Sequence, residues 1–431
     1  MKIKNKIFKN KLFNVCYLFT LSKLDNSLTE FYQWFVGFSD AESSFSIHSI
    51  LHSDGKRISR FSFIFWIELH KDDLGVLEFI KSKLEIGNIR LFKDKCIFTV
   101  SDKQGVYKLI SIFEKYNLNT TKYLDYLDFK KAFVLYHERD KNLKVIKAEE
   151  LKNKILDLKG NMNTKRSVFF MPTNHKILIT KYWLLGFIEG DGSFFISRTD
   201  IEPIFSIQLA EDQLSVLIKI KEFMIKNLGF DKYSFHKLNS SSVIAINKQK
   251  PRLGKPSVIF AIKNIFILNN YLIPYFESIE FLTKKDKDFE DFKIICKAVY
   301  NGSHKIDEIK SLILKLSYTM NNFRLSTYSG STEFLSKFEK DQIINAKPTI
   351  EHLSDGRIID IETKEILPSV RSCVYEIRKP NGEVLIVESF NEVLVTVNVG
   401  FRTLKRLLDV GQTAELKGHI VKRIPVFYPL N

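Results

Sequence analysis

At 431 residues, with 45% hydrophobic and 13% aromatic side chains, the chain is too long for one ordinary core and too apolar to remain disordered. A formal net charge of +16 favours a polyanionic partner, because such a field concentrates phosphate at the surface. Four scattered cysteines without a C-x-x-C pair, nine histidines without an H-E-x-x-H cluster and no apolar run of membrane-span length argue against a disulfide framework, a structural metal site and a transmembrane segment.

Residues 1–26 form a basic lead. Within it, residues 12–21 (LFNVCYLFTL) follow several lysines but precede no small-residue cleavage pattern, so they read as a leader or packing segment, with targeting the lesser alternative. Abundant Lys, Asn, Ile, Phe and Tyr match translation of AT-rich DNA, which points to a mitochondrion or another organelle. Ser27 and Glu30 have capping-box spacing and predict a helix running to about Glu42. Phe45 and Ile47 then alternate with Ser44, Ser46 and His48 as a strand, Asp54-Gly55 signals a turn, and residues 57–69 return as a second strand. A helix over 72–84, a hairpin over 90–100 and helices over 104–139 follow. The same programme recurs: strands over 194–198 and 202–209, a helix over 212–228, strands over 233–246 and 257–262, and helices from about 265.

The recurrence extends to individual residues. Phe35 to Ser43 (FVGFSDAES) parallels Leu184 to Gly192 (LLGFIEGDG), each after a Trp-containing lead. Phe65 to Leu69 with Asp72, Leu74, Val76 and Leu77 matches Phe205 to Leu209 with Asp212, Leu214, Val216 and Leu217. Thr121-Lys122 with Asp128-Phe129-Lys130 matches Thr283-Lys284 with Asp291-Phe292-Lys293, and Met162-Asn163 with Arg166 matches Met320-Asn321 with Arg324. Four blocks in one order imply an internal duplication of domain size. Gly37 with Ala41, and Gly186 with Gly190, place two small residues on one helical face, which lets two helix backbones approach at a pseudo-twofold axis. Glu42 and Asp191 then fall side by side at helix C-termini. The helix dipole and mutual repulsion both disfavour carboxylates there unless a divalent cation is held between them. Asp40 and Glu189, by contrast, read as structural partners of nearby polar groups. Alternation along the strands puts Ser46 with His48, and Ser206 with Gln208, on faces able to reach base edges, with Arg60 and Arg198 placed for bases or phosphates.

These residues resemble the paired signature of LAGLIDADG homing endonucleases in the single-chain, two-motif form, over about residues 27–325. The resemblance implies an α+β fold of two pseudo-symmetric αββαββα halves, residues 27–166 and 167–325, with antiparallel saddle-shaped sheets that hold double-stranded DNA. It implies a monomer whose internal pseudo-twofold replaces a dimer axis. It also implies site-specific cleavage of both strands across the minor groove of a long asymmetric site, using Mg²⁺, with Mn²⁺ or Ca²⁺ able to occupy the site and Ca²⁺ without turnover. On this basis Glu42 and Asp191 are the metal-binding catalytic acids, Ala41 and Gly190 lend backbone carbonyls to the metal, and Glu68 and Gln208 lie near its water. Two departures stand out: Ser43 replaces the usual Gly, expected in a left-handed conformation, and Glu42 replaces the commoner Asp. The family's supporting lysine is not identifiable from the sequence.

Residues 326–356 read as a polar, irregular linker and 357–431 as a C-terminal DNA-binding module. Lys379-Pro380-Asn381-Gly382 is a hairpin turn, and Ser389 with Glu392 is a capping box. Gly400 precedes a basic helix carrying Arg402, Lys405 and Arg406, which completes a helix-turn-helix outline similar to the NUMOD-type segments appended to some homing nucleases. A strand over the valine-dense residues 393–399 is the alternative. Three functions fit this chain: an intron-homing DNA endonuclease, an RNA maturase acting on its own intron RNA, alone or in addition, and a non-catalytic DNA binder. Retention of both acids disfavours the last.

Overall fold

A computed structural model describes residues 28–138, 145–240, 243–250, 256–367 and 373–428; the Ser27 cap and the leader lie outside them. Helix α1 (Leu28–Glu42) buries Phe31, Trp34, Phe35 and Phe38 and passes directly into β1 (Ser43–Leu51). The chain turns at Asp54-Gly55, with Gly55 at φ +68°, and returns as β2 (Ile58–His70). Then come α2 (Leu74–Leu84), β3 (Asn88–Leu91), β4 (Lys95–Val100), α3 (Lys103–Lys115) and α4 (Lys122–His137). The strands pair antiparallel in the order β1-β2-β4-β3. Phe45, Ile47, Phe63, Phe65, Phe98 and Val100 point into the core, leaving the alternate positions on the other face. The core is aromatic: Phe45 lies within 5.3 to 5.7 Å of the rings of Phe65, Phe113, Tyr126 and Phe129.

After α5 (Val145–Gly160), the second half repeats this plan with α6 (Lys181–Asp191), β5 (Gly192–Ser197), β6 (Glu202–Ala210) and α7 (Leu214–Asn227). It departs next. Residues 233–240, expected in a strand, form helix α8 (Lys232–Ser240), because Asp231 accepts from the Ser234 amide at 2.6 Å and starts a helix. Strands β7 (Ile244–Gln249) and β8 (Ser257–Ile262) complete a sheet ordered β5-β6-β8-β7, equivalent to the first. Helix α9 joins Ile265–Ile267 to Ile273–Glu277 through a π turn at Leu268–Leu272, next to Pro274, which has no amide to donate. Helices α10 (Lys285–Tyr300) and α11 (Asp307–Ser317) follow.

The two Met-Asn-x-x-Arg tails staple each half together. Asn163 and Asn321, both at φ +56°, donate their side-chain amides to the carbonyls of Phe45 and Phe194. Arg166 bridges Asp125 and Asp128 of α4, and Arg324 bridges Asp288 and Asp291 of α10. The second cluster is deeper, with the two carboxyls 4% and 2% exposed. Arg324→Met takes the guanidinium from Asp288, which keeps the Asn321 amide, while Lys340 still holds Asp291, and is expected to cost about 3 kcal/mol. Arg166→Met, whose carboxylate partners Asp125 and Asp128 face more solvent, should cost less. Thermal unfolding of the two variants checks the order.

The segment expected to be an irregular linker is partly ordered against the second half. Ser336 and Glu339 form a reciprocal capping box that opens α12 (Lys337–Ile344), whose Ile343 joins the main core. A small sheet of β9 (Ile350–His352), β10 (Ile358–Asp360) and β11 (Ile366–Leu367) follows. Strands β12 (Cys373–Arg378) and β13 (Val384–Val387) flank the expected turn, with Gly382 at φ +83°. The valine-dense residues form helix α13 (Phe390–Val397), not a strand: the Ser389 hydroxyl accepts from the Glu392 amide, and Asn398 at φ +52° ends the helix. Helix α14 (Phe401–Val410), β14 (Thr413–Leu416) and β15 (His419–Pro425) close a module with its own core of Ile377, Val393, Val397, Leu404, Leu408 and Val421. Tyr233 of α8 donates to Glu376, and Phe427 is buried beside Phe230, so the module is anchored to the second half.

Candidate active site

The site is built on the crossing of α1 and α6. A Cβ at Gly37 would stand 2.0 Å from the Trp183 carbonyl oxygen, and one at Gly186 only 2.2 Å from that of Trp34. No side chain fits at either position, which is why glycine recurs there. Closer to the C-terminal ends, a Cβ at Gly190 would lie 2.3 Å from the Ala41 methyl and 3.2 Å from Glu42 Oε1. The two helices therefore end together, with Glu42 laid against the opposite motif and Asp191 beside it.

Each end also receives a lysine from the following half-domain helix. Lys122, at the start of α4, donates to the carbonyls of Ser39 (3.0 Å) and Ala41 (3.2 Å). Lys285, at the start of α10, donates to the carbonyls of Gly190 (3.2 Å) and Gly192. The sequence repeat aligns Lys122 with Lys284. The structure moves the register by one, because the Lys122 amide donates to Thr120 Oγ1 and the Lys285 amide to Thr283 Oγ1. Lys122 and Lys285 were the functional residues missed. The aspartates three and six residues beyond them, Asp125 with Asp128 and Asp288 with Asp291, were the signal that could have aligned them.

Electrostatically the junction is costly. Burial raises the Asp191 carboxyl to about 6, and the Glu42 charge adds to the rise, against the pull of Lys122 and Lys285. Burial raises Glu42 as well, opposed by Lys122 and Lys285. Burial pulls both lysines below the ordinary amine value, although Asp40, Asp191 and Glu42 attract Lys122, and Asp288, Glu42, Glu189 and Asp191 attract Lys285. Two carboxylates meet where positive charge is in demand, and the neighbouring Ala41 and Gly190 carbonyls already accept from the lysines. That donor set fits a hard divalent ion which keeps most of its coordination for water and phosphate.

Asp40 and Glu189 play the structural part expected of them. Asp40 accepts from the amides of Asn119 (2.7 Å) and Thr120 (3.1 Å), from Thr120 Oγ1 (2.6 Å) and from the Trp183 indole (3.0 Å). Glu189 accepts from the Leu282 and Thr283 amides and from the Trp34 indole. Burial raises Glu189 to about 7 despite these donors.

The departure at Ser43 is benign. Gly192 has φ −77° and extended backbone, so no left-handed residue is required at the helix exit; Ser43 opens a strand in the same way and closes its helix by donating to the Ser39 carbonyl at 2.7 Å. The constraint at Gly192 is steric instead, since a Cβ there would meet Ile188 at 2.6 Å.

Other candidates spread over the sheets. Glu68 is paired with Lys95 at 2.8 Å, and Gln208 donates to Ser257 at 2.9 Å, so both are held by neighbouring-strand side chains. Ser46 and His48 share the open face of β1, 3.2 Å apart, and Arg60 is exposed on β2. Ser206 departs from the expectation of an exposed reader: it is only 5% exposed, flanked across the sheet by Ser193 and Ala261. Arg198 is likewise occupied, donating to the Ser317 hydroxyl and carbonyl while its guanidinium lies 4.0 Å over the Tyr318 ring. Arg402, Lys405 and Arg406 are exposed along α14.

The family model for LAGLIDADG endonucleases matches residues 35–133 and 184–296, one match per half. The chain belongs to the LAGLIDADG endonuclease family. A probable intron-encoded endonuclease of Schizosaccharomyces pombe is 31% identical over 205 residues, covering 46% of this chain and 50% of the relative. An uncharacterized mitochondrial protein of Saccharomyces cerevisiae is 28% identical over 334 residues, covering 74% and 64%. This LAGLIDADG chain therefore spans about half to two thirds of the curated relatives it matches. Among solved structures, the LAGLIDADG homing endonuclease I-GzeII in complex with DNA target superposes with a TM-score of 0.55 at 24% identity, over 68% of this chain and 99% of that one. I-SmaMI bound to uncleaved DNA target in the presence of calcium ions gives 0.53 at 23% identity, over 67% and 98%. At that identity the likeness establishes the two-half LAGLIDADG fold.

Proposed function

We propose that the chain is a site-specific double-strand DNA endonuclease of the intron-homing type, acting as a monomer in the mitochondrion or a comparable organelle. The observation that carries this reading is the convergence of Glu42 and Asp191 at abutting helix ends, each motif backed by its own half-buried lysine. Glu42 and Asp191 would hold the metal, Mg²⁺ in the cell, and the Ala41 and Gly190 carbonyls, which also accept from Lys122 and Lys285, would lend it further oxygen donors. When bound, the ion supplies an activated water and neutralises charge developing on the phosphate. Lys122 and Lys285 order the two motif ends by holding their carbonyls. Desolvated at the junction, each gives up a proton more readily than a surface lysine and can pass one to or from the reacting phosphate. Two pseudo-equivalent acid-lysine pairs on one axis match the two strands of a duplex, one pair per strand. The open faces of the two sheets, with His48, Arg60 and Gln208, provide the groove contacts. The test is cleavage of a plasmid carrying the intronless insertion junction. Linear product in Mg²⁺ supports the reading, and no nick or cut in Mg²⁺ or Mn²⁺ sinks it.

The same reading extends to the C-terminal module, whose second helix presents Arg402, Lys405 and Arg406 to solvent next to a glycine-containing turn. Replacing all three with Gln should weaken binding to a duplex extending beyond the two-half footprint and lower the salt dependence by about three phosphate contacts. Binding to a duplex trimmed to that footprint should be unchanged.

A further inference from the structure

The two tryptophans that precede the motifs cross over. Trp34 belongs to the first half, yet its indole N–H donates to Glu189 of the second. Trp183 belongs to the second half, and its indole donates to Asp40 of the first at 3.0 Å. Each acid spends its remaining acceptor capacity on the loop that opens the lysine-bearing helix of its own half. Glu189 takes the Leu282 and Thr283 amides, three and two residues before Lys285; Asp40 takes the Asn119 and Thr120 amides, three and two residues before Lys122. Thr283 Oγ1 then caps the Lys285 amide, and Thr120 Oγ1 the Lys122 amide. Two chains of contacts result, each ending on the backbone amide of a lysine. One runs from Trp34 through Glu189 and Thr283 to Lys285, and the other from Trp183 through Asp40 and Thr120 to Lys122.

The arrangement is more than a packing device. Trp34 and Trp183 are both buried and stacked within their own helices, on Phe38 and Phe187 at 5.0 and 4.8 Å. Stacking alone needs no N–H donor, and phenylalanine would satisfy it. A buried indole N–H aimed at a buried carboxylate is a charge-assisted bond, which also fixes the rotamer of that carboxylate. A second pair of contacts crosses in the same sense. Asp73 of the first half accepts from the Lys284 amide and side chain, while Gln213 of the second accepts from the Thr121 amide. Each lysine loop is thus seated by residues of the opposite half, from both sides.

We infer that Trp34 and Trp183 are positioning residues acting in trans: Trp34 sets the place of Lys285 and Trp183 that of Lys122, so that each half controls the cutting competence of the other. The strand-resolved part of this inference rests on the endonuclease reading; the positional part does not. The consequence is a safeguard. A half that folds without its partner leaves its own acid without the indole donor and its lysine loop unseated, so neither pair is competent until the helices meet.

The experiment compares Trp34→Phe and Trp183→Phe with Lys285→Met and Lys122→Met on a duplex labelled separately on each strand. Trp34→Phe should slow the strand that Lys285→Met slows, by about tenfold, and Trp183→Phe the strand that Lys122→Met slows, with DNA affinity unchanged. General destabilisation would slow both strands alike. In the metal-free protein, Trp34→Phe should shift the backbone amide resonances of Leu282 and Thr283 while sparing Asn119 and Thr120, and Trp183→Phe should do the reverse. Glu189→Gln and Asp40→Asn, which keep the ring packing, repeat the strand comparison should either phenylalanine variant fail to fold; the amide criterion is read on the tryptophan variants alone. Strand-selective lysine variants with strand-indifferent tryptophan variants would overturn the inference, as would amide shifts confined to the substituted half. Lysine variants that slow both strands equally would overturn the one-pair-per-strand reading instead, and the amide shifts would then decide the positional claim alone.

Discussion

Gly37→Val and Gly186→Val are each expected to part the two motif helices and leave little folded protein. The crossing of α1 and α6 brings backbone against backbone, and the carbonyl oxygens of Trp183 and Trp34 occupy the space where a Cβ would stand, at 2.0 and 2.2 Å. Flexible side chains could yield at such distances; main-chain carbonyls inside two buried helices cannot. Overpacking commonly costs 1–3 kcal/mol, and here the clash falls on the largest contact between halves, so upwards of about 4 kcal/mol is expected, a large share of a typical stability. The Trp34–Glu189 and Trp183–Asp40 bonds across the same crossing would be lost with it. Gly160→Ala is the control, since nothing lies within 4 Å of that position and it ends a helix. Soluble yield and the thermal midpoint should fall sharply for the two valine variants and hold for the control.

Asp191→Asn should make the metal-free protein more stable while removing cleavage. The Asp191 carboxyl is raised to about 6 in the folded chain by burial, with the Glu42 charge adding to the rise, against the ordinary carboxyl value of 3.8 when unfolded. A carboxyl whose folded value is raised favours the folded state only while protonated. Its contribution is complete below about pH 4 and is lost as pH rises through 6, leaving a penalty at neutral pH. Asparagine carries no such penalty. The gain at pH 7.5 is on the order of 1–2 kcal/mol, discounted for partial solvent access, and disappears by pH 4. Denaturant unfolding of both proteins in chelator at the two pH values measures it. Equal stability at pH 7.5 would mean that the junction is not strained.

Much of this could be read from the residues. Period-two alternation gave the sheet faces, because each sheet has one face packed on helices and the register cannot slip without burying serines. The glycine and terminal-acid pattern gave the site, since two copies constrain one another. What escaped was tertiary in origin. Lys122 and Lys285 begin helices whose positions relative to the motifs depend on an Asp40 or Glu189 bond far away in sequence, so local pattern could not single them out. The residues preceding β7 alternate like a strand but follow Asp231, and a local cap outweighed the alternation. The polar stretch around Lys337 reads as a linker because only Ile343 of its helix is buried, and one anchor leaves little hydrophobic periodicity. Arg198 and Ser206 had the right residue types and face, yet Tyr318, Ser317 and the close strand packing claim them.

The central claim is that Glu42 and Asp191 are the groups that make the cut. Glu42→Gln combined with Asp191→Asn keeps the size of both side chains and removes only their charge. In single-turnover cleavage of the intronless junction with Mg²⁺, the wild-type chain should cut both strands. The double variant should bind the same duplex with unchanged affinity and lose cutting by a factor of at least about 10³. Cleavage by the double variant at a rate within a few fold of wild type would contradict the account.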